Sequence, residues 1–193
     1  MAPLIVLEGH GSHRLEGHYA THVDTFLAIT SRRDQRRYQP VALPDEVVTR
    51  ILDAGRLSGS GSNRQPWTFV IVESRARVEA LAAGVYAPDN VLGAGLVVGV
   101  VVTGKGSVSF DAGRAAQNML LAAWNEGLAS CPNGLADRDA VRAALSLGEE
   151  ETLAIVLTFG VPERRRDPES RTAAEWSARA NRRPLDDVVR RLS

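Results

Sequence analysis

The segment Ser31-Arg32-Arg33-Asp34-Gln35-Arg36-Arg37 places four arginines in six positions. A guanidinium presents a planar fork that matches a phosphate dianion, so the run suits a phosphate clamp. It equally suits a solvated helix end, where cations complement the dipole. A second cluster, Ser60-Gly61-Ser62-Asn63-Arg64-Gln65-Pro66-Trp67, offers hydroxyl and amide groups in a glycine-relaxed loop. Its plainer reading is an ordinary loop before a strand. A third, Ser130-Cys131-Pro132-Asn133-Gly134, reads as a turn with free backbone N–H groups after Pro132. Together the three suit a polar, phosphorylated, planar ligand.

Other chemistries lack their parts. All four histidines, His10, His13, His18 and His22, lie near the start, so no base is placed for a Ser or Cys nucleophile in the core. Cys131 reads as a buried structural thiol. There is no GxxxxGK[ST] phosphate loop, and Gly59 and Gly61 precede a strand rather than follow one. The domain is therefore expected to borrow its chemistry from a cofactor. His18 and His22 would share a helical face, as a metal site requires. Gly9, Gly11, Gly17 and the repeat of Leu-Glu-Gly-His at 7–10 and 15–18 favour a flexible or partner-draped arm over residues 1–22, with no metal.

The elements that must hold these clusters alternate. The apolar spacing of Val23, Phe26, Leu27 and Ile29 predicts a helix closed by Arg32-Arg33. Residues 38–43 read as extended. Pro44-Asp45-Glu46 opens a helix with Val47, Val48, Ile51, Leu52 and Leu57 on its apolar face. Residues 67–72, 96–102 and 152–159 are near-continuous apolar runs, the pattern of central strands covered on both faces. Short helices are expected at 75–83 and 137–145, and Arg182-Arg183-Pro184-Leu185-Asp186-Asp187 would cap a last one. Residues 111–127 predict a helix apolar nearly all round, which asks for burial in a domain centre or a dimer.

The chain of 193 residues fits one domain, 23–193, after the arm. Its 23 basic and 23 acidic residues cancel, which removes the electrostatic footprint of a nucleic-acid binder. All the basic residues but Lys105 are arginine; a compositional bias explains most of them. One cysteine excludes a disulfide framework. No apolar run reaches the ~18–20 residues of a membrane span, and no signal pattern opens the chain. A cytoplasmic protein is expected.

In order along the chain, Arg32-Arg33-x-x-Arg36, Ser60-x-x-Asn63-x-Gln65-Pro66-Trp67, Ala116-Gln117-Asn118-Met119-Leu120-Leu121-Ala122-Ala123 with Gly127-Leu128, Phe159-Gly160-Val161-Pro162 and Arg182-Arg183-Pro184-Leu185 resemble the nitroreductase family of FMN enzymes. The resemblance implies an α+β sandwich: a mainly antiparallel sheet flanked by helices, in an intertwined homodimer with FMN at the interface. It implies that Arg32 and Arg33 hold the FMN phosphate and ribityl chain, with Arg182 returning to the phosphate. Arg36 would lie near the flavin N1–O2 edge, where positive charge stabilises anionic reduced flavin. Ser60, Asn63 and Gln65 would line the ribityl and pyrimidine side, and the Pro132-Asn133-Gly134 backbone would face N5. The implied activity moves hydride from NAD(P)H through the flavin to a nitroaromatic, quinone or similar acceptor.

Two departures point to alternatives. Asp34, itself implied at the cofactor, stands where many members have serine. Some branches carry aspartate there, among them the flavin-fragmenting enzyme that makes dimethylbenzimidazole. Only about forty residues separate Val72 from Asp111, so the helical lid of the family is expected to be short or absent. The Cys131-Pro132 pair also resembles nitroreductase-like oxidases of cyclic dipeptides. An oxidase, a flavin-remodelling enzyme and a non-catalytic flavin-binding module are the alternatives.

Overall fold

The computed structural model describes residues 24–192. Strand β2 (Leu96–Thr103) organises it. Its side chains alternate across the sheet: Val98, Val100 and Val102 enter one core, Val97 and Val101 the other. Around it lie β1 (Trp67–Ile71), β3 (Ala129–Asn133) and β4 (Glu151–Gly160), in the order β1-β2-β4-β3 with every pairing antiparallel. The predicted α+β class is thus observed.

Helices cover both faces. On one side lie α2 (Asp45–Arg56), through Val47 and Ile51, and the long α5 (Val108–Asn125), through Ala112, Ala116, Met119 and Ala123. On the other lie α3 (Arg75–Ala83), α4 (Pro88–Leu92) and α6 (Arg138–Ala144), contributing Leu81, Val91 and Val141. α1 (Thr25–Ser31) and α7 (Ala173–Ala178) pack together at one end. The histidine arm, with its metal and docking readings, lies outside the described residues, as does Val23. No described helix is long and apolar enough to cross a membrane.

Three expectations are corrected and one is narrowed. β1 is an edge strand, with Thr68 and Ile71 exposed; a continuous apolar run does not distinguish the edge of a sheet from its centre. Residues 130–133, read as a turn, belong to β3, which pairs with β4. Pro132 is tolerated because β3 is also an edge, where a missing N–H costs no ladder bond. Within one chain α5 is buried on one side only, with Phe110, Gly113, Arg114, Gln117 and Asn118 exposed, so the chain's own domain does not supply the burial expected all round, and the dimer alternative is untouched. Phe26 and Ile29, expected on the inner face of α1, are 62% and 53% exposed, and Leu57 of the second helix's expected face is also exposed. α4 and α7 were not anticipated. α7 is started by a Thr172–Glu175 capping box and buries Trp176, a helix start that its short length hid.

Candidate functional site

The chain leaves α1 at Arg32 and runs extended. Ser31, at the end of that helix, is fully buried and accepts the Trp124 indole N–H at 3.0 Å. Further on, the Gln35 N–H donates to the Ser130 carbonyl, and Gln39 N–H to that of Val161. Tyr38 bridges to Pro162. The segment is therefore laid between β3 and the chain leaving β4.

In this extended stretch alternate residues diverge. Arg32, Asp34 and Arg36 act electrostatically on the Cys131 thiol, whose pKa is raised chiefly by burial while Arg36 pulls against the rise. Asp34 accepts from the Arg32 guanidinium at 3.0 Å. The pairing offsets the charge of a carboxylate that would otherwise oppose an anion held by Arg32. Arg33 takes another course. Its guanidinium donates to the carbonyls of Thr30 and Arg32 at 2.7 Å and of Trp176 at 3.2 Å, tying α7 to α1. The Arg33 pKa is lowered, first by burial and then by the charges of Arg182, Arg166 and Arg32. Arg182 itself is exposed.

Beyond Arg33 the chain makes a cavity of about 680 Å³ lined by Arg165, Arg166, Arg171, Trp176 and Arg179 among others. Arg171 stacks over the Trp176 ring at 4.8 Å. None of these arginines is among the candidates named from the sequence. The run Arg164-Arg165-Arg166 after Pro162 was the available signal.

The loop at 58–65 is held by α5. Asn118 donates to Ser58 Oγ at 2.7 Å, and the buried Asp111 accepts the Gly61 N–H at 3.3 Å. Within the loop, Ser60 Oγ accepts the Gln65 N–H at 2.8 Å. Ser62, Asn63 and Gln65 all have φ near +50°, a left-handed backbone that only surrounding structure sustains in non-glycine residues. The side chains of Asn63 and Gln65 project into solvent. Asp111→Ala removes the buried acceptor that holds this shape. It is expected to destabilise the chain by about 1–3 kcal/mol in urea unfolding and to free the loop. A change under about 0.5 kcal/mol would show that Asp111 does not hold it.

At β3 the Asn133 side chain turns inward. Its amide donates to Thr158 Oγ1 and to the Cys131 carbonyl, and its oxygen accepts from Asn90. Its side chain is therefore spent within the protein, and its backbone is paired with Val156 of β4. Gly134 is exposed and close against Tyr86: a Cβ there would lie 3.1 Å from the Tyr86 ring. Tyr86, 78% exposed, is not among the residues named from the sequence.

The predicted residues form two groups. Arg32, Asp34, Arg36 and the strand carrying Pro132 and Asn133 share the β3 edge. Ser60, Asn63 and Gln65 precede β1, the opposite edge. Measured along α5, one group is fastened near Trp124 and the other near Asp111, about 20 Å apart at 1.5 Å rise per residue. One chain does not bring them together.

Comparison with known proteins follows the same residues. The model of the nitroreductase family matches residues 29–91 and 107–161, a span containing every candidate residue except Arg182. The chain is 30% identical over 151 residues to a "Putative NADH dehydrogenase/NAD(P)H nitroreductase" of Methanothermobacter thermautotrophicus, covering 72% of this chain and 78% of that one. It is 31% identical over 155 residues to a protein of the same description from Archaeoglobus fulgidus, covering 72% and 86%. Among solved structures, a "putative nitroreductase in complex with FMN" from Desulfovibrio desulfuricans superposes with a TM-score of 0.73 at 29% identity, covering 88% and 98%.

Proposed function

The chain belongs to the nitroreductase family, and from that premise we propose that it is an FMN-dependent oxidoreductase passing hydride from NAD(P)H to a nitroaromatic, quinone or similar acceptor. The observation that carries the reading is the convergence of Arg32, Arg166 and Arg182 on Arg33, whose pKa is lowered first by burial and then by their charges. Mutual repulsion of this kind is relieved by a bound dianion, and the FMN phosphate is one.

Bound FMN would supply the two-electron redox chemistry. The chain's own residues bind and orient. Arg182 and Arg32 would hold the phosphate, Arg32 being kept in place by Asp34. Arg33 adds its charge while its donors fasten α7. Arg36, beside Cys131, would place a fixed cation at the flavin's pyrimidine edge. The backbone at Pro132 and Gly134 would back the reacting edge. No side-chain acid or base is required, since water can supply protons.

Ser60, Asn63 and Gln65 would come from a second copy, because their own chain holds them at the far edge of the sheet. Exposed Phe26, Ile29, Leu57 and Phe110 give such a homodimer an apolar surface to bury. Sedimentation at micromolar concentration is expected to show two chains per particle; a stable single chain of 20.8 kDa would contradict it.

The deciding experiment is anaerobic addition of NADH or NADPH to the purified yellow protein, with rapid bleaching expected. Protein that stays colourless after FMN addition and desalting would overturn the reading. A second reading, an oxidase or flavin-remodelling enzyme, is favoured by the absence of a lid helix between β1 and β2: α3 and α4 both pack onto the sheet through Leu81 and Val91. Reduced flavin plus oxygen, followed by chromatography, separates the two. Simple return of FMN dismisses remodelling.

A further inference from the structure

We propose that a second arginine-lined cavity, between residues 34–37 and 163–166, is an anion seat for a phosphoryl group of the pyridine-nucleotide donor. The donor's chemical class rests on the function proposed above; the seat rests on the structure. The two segments run antiparallel. Tyr38 bridges Pro162, and the Glu163 N–H donates to the Arg37 carbonyl at 3.3 Å. Continuing that register sets Arg164 across from Arg36. Like charges opposed across paired strands destabilise the pairing unless a counter-charge lies between them.

The cavity so formed measures about 690 Å³, and Arg36, Arg37, Arg164, Arg165 and Arg166 line it, the last two shared with the cavity beside Arg33. Among the described residues, none of these five has a carboxylate within 4.0 Å. Two acids also line the cavity. Asp34 is already paired with Arg32, which leaves Glu163 as the opposing charge. A cofactor phosphate placed at Arg32 and Arg182 uses neither Arg37 nor Arg164. The chain as a whole has no net charge, so this concentration of cations is local. A concave site with one sign of charge focuses its potential on an anion. Arg36 borders both this cavity and the Cys131 edge where the flavin is proposed. A ligand whose phosphate occupied the cavity would therefore lie beside the flavin site. A pyridine nucleotide offers two such groups, its pyrophosphate and, in NADPH, its 2′-phosphate.

The test uses the full FMN-loaded chain, with flavin absorbance recorded before and after calorimetric titration with 2′,5′-ADP and with ADP-ribose. At least one probe is expected to bind. Arg37→Ala and Arg164→Ala should each weaken it about tenfold, the loss of one charge-assisted contact. Glu163→Gln should tighten it. Preference for 2′,5′-ADP assigns the seat to the 2′-phosphate; preference for ADP-ribose assigns it to the pyrophosphate. The proposal is overturned if neither probe binds, if both alanine variants bind as the wild type does, or if the probe expels flavin, which would give the cavity to the cofactor. A chain that never retains FMN is recognised from the first absorbance reading. It refutes the proposed function and the donor assignment together, whereas retained FMN without probe binding refutes the seat alone.

Discussion

Arg182→Ala is expected to weaken FMN binding about ten- to hundred-fold, the equivalent of one charge-assisted contact of roughly 1.5–3 kcal/mol, and to leave riboflavin binding nearly unchanged. The contrast matters because riboflavin lacks only the phosphate. Arg182 is the better position to probe than Arg33. The Arg33 guanidinium donates to three backbone carbonyls, one of them in α7, so Arg33→Ala would loosen α1 against α7 whatever it did to the ligand. Arg182 is exposed and acts on Arg33 through its charge, so its loss leaves the packing intact. Fluorescence titration with the two flavins reads the result. Equal losses for FMN and riboflavin would mean that Arg182 supports the fold or the dimer, and the phosphate assignment would be wrong.

The periodicity of the chain carried most of the fold. The expected helix at 75–83 matches α3 residue for residue, and the strand runs at 96–102 and 152–159 each fall within an observed strand. What it could not carry was position within the sheet. β1 and β2 have equally apolar sequences, yet one is an edge and the other central, because that depends on what pairs with each strand and not on its own composition. β3 was hidden by Pro132 and Asn133, turn-forming residues that an edge strand tolerates. The candidate site was legible as residue types. It was not legible as geometry. Four arginines in one run look alike in sequence, but the extended backbone separates Arg33, spent on α7, from Arg32 and Arg36 beside Cys131. Nothing in the sequence shows that Asp34 pairs with Arg32.

Thr158→Val is expected to be among the most costly single-atom-scale changes, destabilising the chain by about 2–3 kcal/mol through a buried group left without its partner. Thr158 is fully buried on β4. Its hydroxyl pairs with the Tyr38 hydroxyl at 2.9 Å, accepts from the Asn133 amide at 3.0 Å and donates to the Cys131 carbonyl at 3.1 Å. One oxygen thereby joins the extended arginine segment, β3 and β4. Burial pushes the Tyr38 pKa upward, so Tyr38 remains a neutral hydroxyl that needs a partner. Valine fills the same volume and strands it. The Asn133 amide keeps the Cys131 carbonyl, which limits the damage on that side. Tyr38→Phe should cost less, about 1 kcal/mol, because Thr158 keeps its other two partners. The double variant should cost less than the sum of the two, since the phenylalanine removes the hydroxyl that valine orphans. Urea unfolding of the three variants measures all of this. Strict additivity would show that the two hydroxyls act independently, and a change below about 0.5 kcal/mol for Thr158→Val would show that the network does not hold the arginine segment to the sheet. With the network broken, Arg36 and the Pro132–Gly134 backbone lose their common support, so FMN retention should fall in Thr158→Val even at temperatures where the chain stays folded.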